Sequence, residues 1–385
     1  MIRRDFWLER IEDSWTKAPL VWLTGVRRVG KTTLAQSIPD ARFVNCDLPS
    51  ATRELEDPER FYHSVSQPVV IFDEVHRLGD PSRTLKIGVD AFKHLKLLAT
   101  GSSTLAATRK FRDSLTGRKR AVHLLPALER ERAAFGVRDL KMRLLRGGLP
   151  EPLLVKERDL GFYSEWLDSF YARDVEELFR VGKREAFLRL VQLVLRNSGG
   201  VLEATTVARQ CGLTRPTVAR YLDVLAITHL ITTVRPYHRG GRQELLKRPK
   251  VYGFDTGFVS FCRGWDELRE QDCGRLWEHL VLETLTAHVE PGAILYWADK
   301  QRHEVDFVLP RGRNECDAIE CKWDADEFAP RGLRAFRQSH PKGDNYVVSP
   351  QVGPAYRREV EGLEVTFCNL TQWESLQDSR RPGLI

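Results

Sequence analysis

The chain has 385 residues, of which 42% are hydrophobic and 29% are charged. This composition is typical of a folded globular protein and excludes a chain that is disordered throughout. The length allows two or three domains with their own cores. The formal net charge of +7 permits a polyanionic partner without demonstrating one.

The first residues, MIRRDFWLERIEDSW, are charged and lack the apolar segment of a signal peptide. No run of about 18 uncharged apolar residues is present, so we expect no membrane partner. The seven cysteines are scattered without a C-x-x-C pair, which argues against a zinc site and favours reduced thiols. A cytoplasmic location is therefore expected.

Residues 20–38, LVWLTGVRRVGKTTLAQSI, predict an apolar strand, a loop bounded by glycines and a helix. The loop matches the phosphate-binding pattern G-x-x-x-x-G-K-[ST]. Its backbone N–H groups would surround the phosphates of ATP, Lys31 would reach the β- and γ-phosphates, and the Thr32 hydroxyl would bind Mg²⁺. The predicted nucleotide-binding residues of this loop are Gly25, Val26, Arg27, Arg28, Val29, Gly30, Lys31, Thr32 and Thr33.

A second strand is predicted in PVVIFDEVHRL, residues 68–78, and ends in two acids. Asp73, at the carboxyl end of this buried parallel strand, would hold Mg²⁺, and Glu74 would polarise the attacking water. We expect His76, just past the strand, to be a surface residue. DEVH also resembles the box of superfamily-two helicases, but the chain has no room for a second RecA-like domain.

Two further residues are candidates for the nucleotide site. A third apolar strand, LKLLATGSS (residues 95–103), ends near Ser102, which could sense the γ-phosphate. Arg118 is a candidate arginine finger or sensor. The alternative, that Arg118 is one arginine of a basic loop, has equal weight.

Helical periodicity dominates from 146 to 270, and residues 199–231 resemble a helix–turn–helix followed by a winged hairpin with a basic tip. Thr214 is the predicted N-cap of the second helix. DNA binding through that helix would use its exposed residues, and the alternative is a packing or dimerisation module. Nearby basic residues favour nucleic acid slightly: Arg235, His238, Arg239, Arg242, Lys247, Arg248 and Lys250. The exposed helix residues would be Thr214, Arg215, Thr217 and Arg220.

The C-terminal part predicts a helix (274–288), three strands, a helix (327–340) and a strand (345–349). Two of these strands lie in HEVDFVLPRGRNECDAIECKW, residues 303–323. Glu320 and Lys322 share one strand face, where Asp306 of the neighbouring strand can meet them. The alternative is that these are ordinary solvated residues on the face of the sheet.

This order of elements is that of the PD-(D/E)xK nucleases. A site for Mg²⁺ or Mn²⁺ would use carboxylates and the Cys321 carbonyl, while Lys322 would activate water for attack on a phosphodiester. Glu278, on the preceding helix, would complete or orient this shell. The predicted metal ligands of this domain are Glu278, Asp306, Glu320 and Cys321.

The motifs LTGVRRVGKTTL, IFDEVHRL, TGSS, LTGR, RGGLPE, YARDV, LWEHLVLETL, EVDFVL and AIECKW cover nearly the whole chain. Together they resemble a prokaryotic ATPase family that joins an AAA-type P-loop domain to a winged-helix segment and a restriction-endonuclease-like domain, domain of unknown function 4143. The resemblance implies an α/β protein with a parallel-sheet AAA-type domain at 1–145, a helical and winged-helix domain at 146–270 and a PD-(D/E)xK nuclease-like domain at 271–385.

The function that this resemblance and the motifs predict is ATP turnover that gates a metal-dependent nuclease on DNA. A homo-oligomer would place Arg118 against a neighbouring γ-phosphate, and any further protein partner is unknown. The alternatives are an ATP-switched signalling protein with a non-cleaving C-terminal domain, or a DNA-binding regulator.

Overall fold

The computed structural model describes residues 2–101, 115–176, 183–237, 248–290, 292–312 and 314–379. Within these ranges, none of the helices combines the length and the hydropathy needed to cross a bilayer.

The N-terminal part is a parallel sheet of five strands in the order β2-β3-β4-β1-β5. Every residue of β1 and β3 is buried, as expected for a parallel sheet with helices on both faces. β4 lies between β1 and β3, so the carboxyl ends of these three strands form one edge. The strands are β1 Leu20–Thr24, β2 Ala41–Asn45, β3 Val69–Asp73, β4 Lys96–Thr100 and β5 Lys119–His123. The helices are α1 Asp5–Lys17, α2 Lys31–Gln36, α3 Pro49–Glu54, α4 Pro58–Ser64 and α5 Pro81–Ala91.

The middle part is mainly helical, as predicted. α8 continues directly into a π-helical turn, Tyr171–Glu176. Thr214 accepts a hydrogen bond from the Thr217 backbone and caps α11, which confirms the predicted N-cap. The helices are α6 Leu140–Arg146, α7 Pro150–Leu154, α8 Leu160–Phe170, α9 Arg184–Arg196, α10 Ala204–Cys211, α11 Arg215–Ile227 and α12 Thr256–Arg263.

Three short strands accompany these helices: β6 Gly200–Val201, β7 Ile231–Pro236 and β8 Lys250–Gly253. β7 and β8 pair in antiparallel fashion directly after the α10–α11 helix pair. The tip that would join them, residues 238–247, lies outside the described residues, and with it most of the predicted basic tract.

The C-terminal part has the predicted order of helix, three strands, helix and strand: α13 Glu270–His288, β9 Leu295–Ala298, β10 Glu304–Gly312, β11 Glu315–Cys321, α14 Arg331–Ser339 and β12 Asn345–Val348. The predicted helix at 327–340 begins only after Pro330, because proline disfavours the helical conformation in the residue before it, here Ala329. Three elements follow that were not predicted: β13 Tyr356–Val360, β14 Leu363–Cys368 and α15 Leu370–Asp378.

One sheet of nine strands joins the middle and C-terminal parts, in the order β13-β14-β12-β11-β10-β9-β7-β8-β6. The junction is a parallel pairing of β7 with β9, in which Arg235 faces Leu295 and Pro236 faces Tyr296. The sheet therefore crosses the boundary predicted at residue 270. Side chains of β8 are consequently brought close to the residues of β10 and α13.

Candidate functional site

The loop between β1 and α2 has the backbone that the glycine pattern requires. Gly25 has φ +146° and Gly30 has φ +99°, a region that L side chains rarely adopt. A Cβ at Gly25 would lie 2.5 Å from the Leu124 carbonyl oxygen. Both positions therefore require glycine for their backbone conformation. At Gly25 the Leu124 carbonyl also leaves no room for a side chain.

Lys31, the first residue of α2, folds back onto its own loop. Its ammonium donates to the carbonyl oxygens of Gly25 at 3.0 Å and Val26 at 3.1 Å. Burial lowers the pKa of Lys31, and the negative charge of Glu74 opposes this shift. Negatively charged phosphate oxygens would bind this ammonium more strongly than the neutral carbonyl oxygens do, because a hydrogen bond between two charged groups is stronger.

Asp73 lies between two hydroxyl groups at the carboxyl edge of the sheet. Its carboxylate accepts from Thr32 Oγ1 at 2.9 Å and from Thr100 Oγ1 at 2.6 Å. A hydroxyl beside a carboxylate is a hard oxygen pair, so Thr32 and Asp73 fit Mg²⁺. Thr100 was not predicted, although it is the last residue of the strand in LKLLAT. It also accepts from the Glu74 backbone N–H at 3.0 Å.

Glu74 has the left-handed backbone conformation, with φ 53°. Its Oε2 lies 3.2 Å from Nδ1 of His76. That hydrogen bond lowers the pKa of Glu74 against the opposing effect of burial, so the carboxylate is ionised at neutral pH. With 26% of its side chain exposed, His76 lies at the surface as expected, and it also contacts the candidate base Glu74.

A cavity of about 770 Å³ opens over this loop, and the middle part of the chain closes one side of it. Asp174, in the π-helical turn, lies 3.4 Å from Arg27 of the loop, and Glu151 of α7 lies 3.2 Å from Arg28. Burial raises the pKa of Asp174. Residues 171–175, YARDV, were predicted only as helical and as part of the family resemblance, so the position of Asp174 at this cavity was not predicted.

A second contact from the middle part lies beneath the loop. His229 follows α11 and has φ 61°, and its Nε2 lies 3.1 Å from Oγ1 of Thr24, the residue before Gly25. Its ring packs on His123 with the ring centroids 4.0 Å apart. Burial lowers the pKa of His229 to about 4, so the ring is neutral at pH 7. The unit formed by α10, α11 and the β7–β8 hairpin thus contacts the end of β1 directly before the P-loop.

Arg118, the predicted arginine finger or sensor, does not line this cavity. Arg118 donates to both carboxylate oxygens of Asp90, at 2.7 and 3.3 Å, on a partly exposed surface. Ser102 lies outside the described residues. The arginine-finger and sensor roles therefore stay predictions.

Three of the predicted nuclease residues meet between β10 and β11. The Lys322 ammonium lies 2.8 Å from Glu320 Oε2 and 3.7 Å from Asp306 Oδ2. Asp306 also accepts from the Cys321 backbone N–H at 2.8 Å. The last paired residues of β10 and β11 at this end are Phe307 and Ile319. Cys321 lies two residues beyond this pair, and its N–H donates to the Asp306 carboxylate instead of to the β10 backbone.

Glu278, Asp306, Glu320 and Lys322 are together called the acidic cleft below, and Glu278, the fourth predicted residue, joins this group from α13. It accepts from the Tyr252 hydroxyl at 2.5 Å and lies 3.3 Å from the Lys250 ammonium, which also contacts Glu304. Burial, and then the charge of Asp306, raise the pKa of Glu278. The same two causes raise the pKa of Glu320 to about 8.

This cleft fits a divalent cation in its chemistry but is not preassembled around one. Its ligand atoms would be hard carboxylate oxygens. The Lys322 ammonium already lies beside two of these carboxylates, Asp306 and Glu320, as a bound cation would. Within the described ranges, however, no three His, Cys, Asp or Glu residues are arranged to hold a metal ion. The predicted ligand set of Glu278, Asp306, Glu320 and the Cys321 carbonyl therefore stays a prediction.

The α10–α11 helix pair presents the residues predicted for a nucleic-acid surface. Thr214, Arg215 and Arg220 are exposed, while Thr217 is partly buried. Lys250, which the sequence placed in the basic tract, is instead buried against carboxylates. A DNA-binding role for this surface stays a prediction.

Three family models match consecutive parts of the chain. Residues 17–132 match an AAA domain, residues 137–269 match domain of unknown function 8612, and residues 273–367 match domain of unknown function 4143. The AAA match covers β1 to β5 and agrees with the geometry of the P-loop, Asp73 and Glu74. Residues 17–132 are therefore similar to an AAA domain, the domain of a P-loop ATPase.

Two mycobacterial proteins are similar over much of their length. They are uncharacterized proteins Mb2031c of Mycobacterium bovis and Rv2008c of Mycobacterium tuberculosis, each 27% identical over 311 residues, which is 78% of this chain and 69% of the relative.

Solved structures overlap only loosely. A DNA replication initiation factor is 13% identical, with 55% of this chain and 70% of that one covered, at a TM-score of 0.26. A Thermococcus gammatolerans assembly of McrB AAA+ hexamers with McrC is 12% identical, with 47% of each chain covered, at a TM-score of 0.22. Similarity at this level supports no inference about function.

Proposed function

We propose that this P-loop ATPase, whose AAA domain spans residues 17–132, uses ATP binding and hydrolysis to control an action of its C-terminal part on DNA. The observation that carries the ATPase proposal is the contact between Thr32 and Asp73, 2.9 Å apart, with Lys31 and Glu74 at the same cavity. These four side chains are the groups that phosphoryl transfer needs.

In the proposed reaction, the loop N–H groups hold the phosphates, and Lys31 exchanges its two carbonyl partners for phosphate oxygens. Thr32 and Asp73 would hold Mg²⁺, which supplies neutralisation of phosphate charge. Glu74, kept ionised by His76, orients a water and takes its proton. Thr100 holds Asp73 and the Glu74 backbone in place.

A Glu74→Gln variant tests this division of roles. We expect ATP to bind within about threefold of the wild-type affinity, because Gln keeps the size of the side chain, while kcat falls about 100-fold because the base is lost. Fluorescent-nucleotide titration and phosphate release measure the two effects. Glu56→Gln, at an exposed position, is the matched control. Equal turnover in both variants would exclude Glu74 as the base.

Control of the rest of the chain would start at the two contacts from the middle part. A nucleotide that binds Lys31 and the loop has to accommodate the Arg27–Asp174 pair at the π-helical turn. The loop that would hold it follows Thr24 directly, and His229 contacts Thr24 from the end of α11. Through the π-helical turn and the end of α11, these contacts give the middle part of the chain a direct means of responding to the bound nucleotide.

The finer part of the proposal is cleavage of DNA at the C-terminal cleft. Asp306, Glu320 and Glu278 would hold a divalent cation, which supplies charge stabilisation at the scissile phosphate. Lys322, beside Asp306 and Glu320, would orient the attacking water. The net charge of +7 and the exposed arginines of α11 support DNA as the partner.

Variants in the cleft test cleavage directly. Asp306→Asn and Lys322→Met are each expected to reduce the nicking of supercoiled plasmid about 100-fold, because one removes a carboxylate and the other an ammonium that both lie at the cleft. The assay uses ATP with Mg²⁺ or Mn²⁺. Asp326→Asn and Lys342→Met, at exposed positions, are matched controls. Nicking that is equal in all four variants would contradict the assignment.

A second candidate function is favoured by the ion pairs that fill the cleft. An ATP-switched signalling or DNA-binding regulator would use the C-terminal part for interaction without cleavage. A protected footprint on duplex DNA, with intact strands and no dependence on Asp306, would favour this role. In a homo-oligomer Arg118 could face a neighbouring nucleotide, and ATP-dependent assembly measured by light scattering would support that arrangement.

A further inference from the structure

Lys250 joins the C-terminal cleft from a different part of the chain. It lies on β8, the second strand of the hairpin that follows the α10–α11 helix pair, and only 7% of its side chain is exposed. Its ammonium is 3.3 Å from Glu278 Oε1 and contacts Glu304 Oε1. Tyr252, two residues later and on the same strand face, donates to the same Glu278 oxygen at 2.5 Å.

A buried ammonium is stable only where carboxylates surround it. Burial lowers the pKa of Lys250, but the charges of Glu278, Asp306 and Glu304 reverse this effect and raise it overall. The ammonium therefore neutralises acids that would otherwise repel one another. A divalent cation at the predicted site would need the same Glu278 carboxylate.

We infer that the Lys250 ammonium is a displaceable internal counter-ion: it occupies the acidic cleft in place of a divalent cation, and the cation binds Glu278 only when Lys250 withdraws. This inference rests on the proposed cation site. It makes Lys250 a positioning residue, because it sets whether Glu278 is available and does not itself contact the cation. Since Lys250 lies on β8, the charge that closes the cleft comes from the hairpin and not from the C-terminal part.

The measurable consequence is a gain of affinity when a charged side chain is removed. If Lys250 leaves the cleft about one tenth of the time, the apparent cation affinity is about tenfold weaker than that of the open cleft. Lys250→Met keeps the length and apolar character of the stem and removes the competitor. We therefore expect Lys250→Met to bind Tb³⁺ and Mn²⁺ about tenfold more tightly than the wild type.

Binding is measured on the full chain without ATP. Tb³⁺ emission excited through the protein's aromatic side chains reports the cleft, because Tyr252 touches Glu278, and Mn²⁺ competition gives the second affinity. Lys250→Arg keeps the charge and pairs with carboxylates more firmly, so it should bind both ions more weakly than the wild type. Lys342→Met loses an equal charge at an exposed position and should not change the affinity.

The outcomes separate this inference from the function on which it rests. Ion binding that Asp306→Asn abolishes, and that is tighter in Lys250→Met and weaker in Lys250→Arg, supports the inference. Asp306-dependent binding that is unchanged or weaker in a folded Lys250→Met overturns the inference and leaves the cation site standing. If Lys250→Met is unfolded by circular dichroism, Lys250→Arg decides: binding as tight as that of the wild type overturns the inference. Absence of Asp306-dependent binding in all variants overturns both.

Discussion

Replacing Lys31 by alanine is expected to reduce the kcat/KM for ATP hydrolysis at least about 100-fold, a loss of about 2.7 kcal/mol of transition-state stabilisation. The reason is that the ammonium has no other role in the described loop than contact with two carbonyl oxygens of the loop itself, which phosphate oxygens would replace. Its position at the start of α2 places the charge where the γ-phosphate would lie. Phosphate release under steady-state conditions measures the effect.

The matched control for this variant is Lys17→Ala, in the last turn of α1, whose ammonium pairs with Asp13 four residues earlier on an exposed surface. This variant should hydrolyse ATP as the wild type does, because exposed pairs of this kind contribute little. Normal turnover in Lys31→Ala would show that the loop does not hold the hydrolysed nucleotide.

Replacing Arg143 by methionine is expected to destabilise the fold by about 3–5 kcal/mol. Arg143 lies on α6, is fully buried, and donates to Glu283 of α13 at 2.8 Å. It also donates to the Ala127 carbonyl at 2.8 Å and to the Thr256 hydroxyl at 3.1 Å. The guanidinium therefore ties the ATPase part, α12 and α13 together, and its loss leaves several buried acceptors without donors. Urea denaturation measures the change.

A double variant separates the charge from the packing. Arg143→Met with Glu283→Leu should recover a large part of the lost stability, because apolar side chains often replace a buried ion pair without penalty. If the double variant is as unstable as the single one, the uncompensated carboxyl group is not the main cause of the loss. The hydrogen bonds of Arg143 to Ala127 and Thr256 would then account for it.

The stability of the Arg143→Met variant should also change with pH in a defined direction. Burial raises the pKa of Glu283 to about 8 against the opposing charge of Arg143. A carboxyl whose pKa is raised on folding contributes stability that is lost as the pH rises through its folded value. Without Arg143 that value is higher, so the variant should continue to lose stability above about pH 8, where wild-type Glu283 is already ionised.

The nucleotide site could be predicted from the sequence because its parts are contiguous. A glycine-bounded loop, the lysine and threonine after it, and the two acids after a buried strand each occupy one short segment. Their conformation follows from local backbone requirements such as the positive φ at Gly25 and Gly30. The order of the C-terminal elements was predicted for the same reason, since the alternation of apolar residues is a local signal.

The partners of those residues could not be predicted, because they come from distant parts of the chain. His76 is the exception in sequence distance, because it lies only two residues from its partner Glu74. Thr100 reaches Asp73 across the sheet, and Asp174 meets Arg27 across 147 positions of sequence. Lys250 and Tyr252 reach Glu278 only because β7 pairs with β9 and extends one sheet across two predicted domains. Composition placed Lys250 on a basic surface, whereas packing buries it among acids.

The sequence by itself determined the P-loop and the acids that follow the second apolar strand. It also determined that a helix acid, a strand acid and an E-x-K pair follow one another in the order that the nuclease resemblance implies. Only the tertiary structure decided which charges neutralise which. Backbone conformation depends on near neighbours along the chain, but the balance of a buried charge depends on every group within a few ångströms. At the C-terminal cleft Lys322 supplies one part of that balance, and Lys250 of β8, which belongs to another part of the sequence, supplies the other.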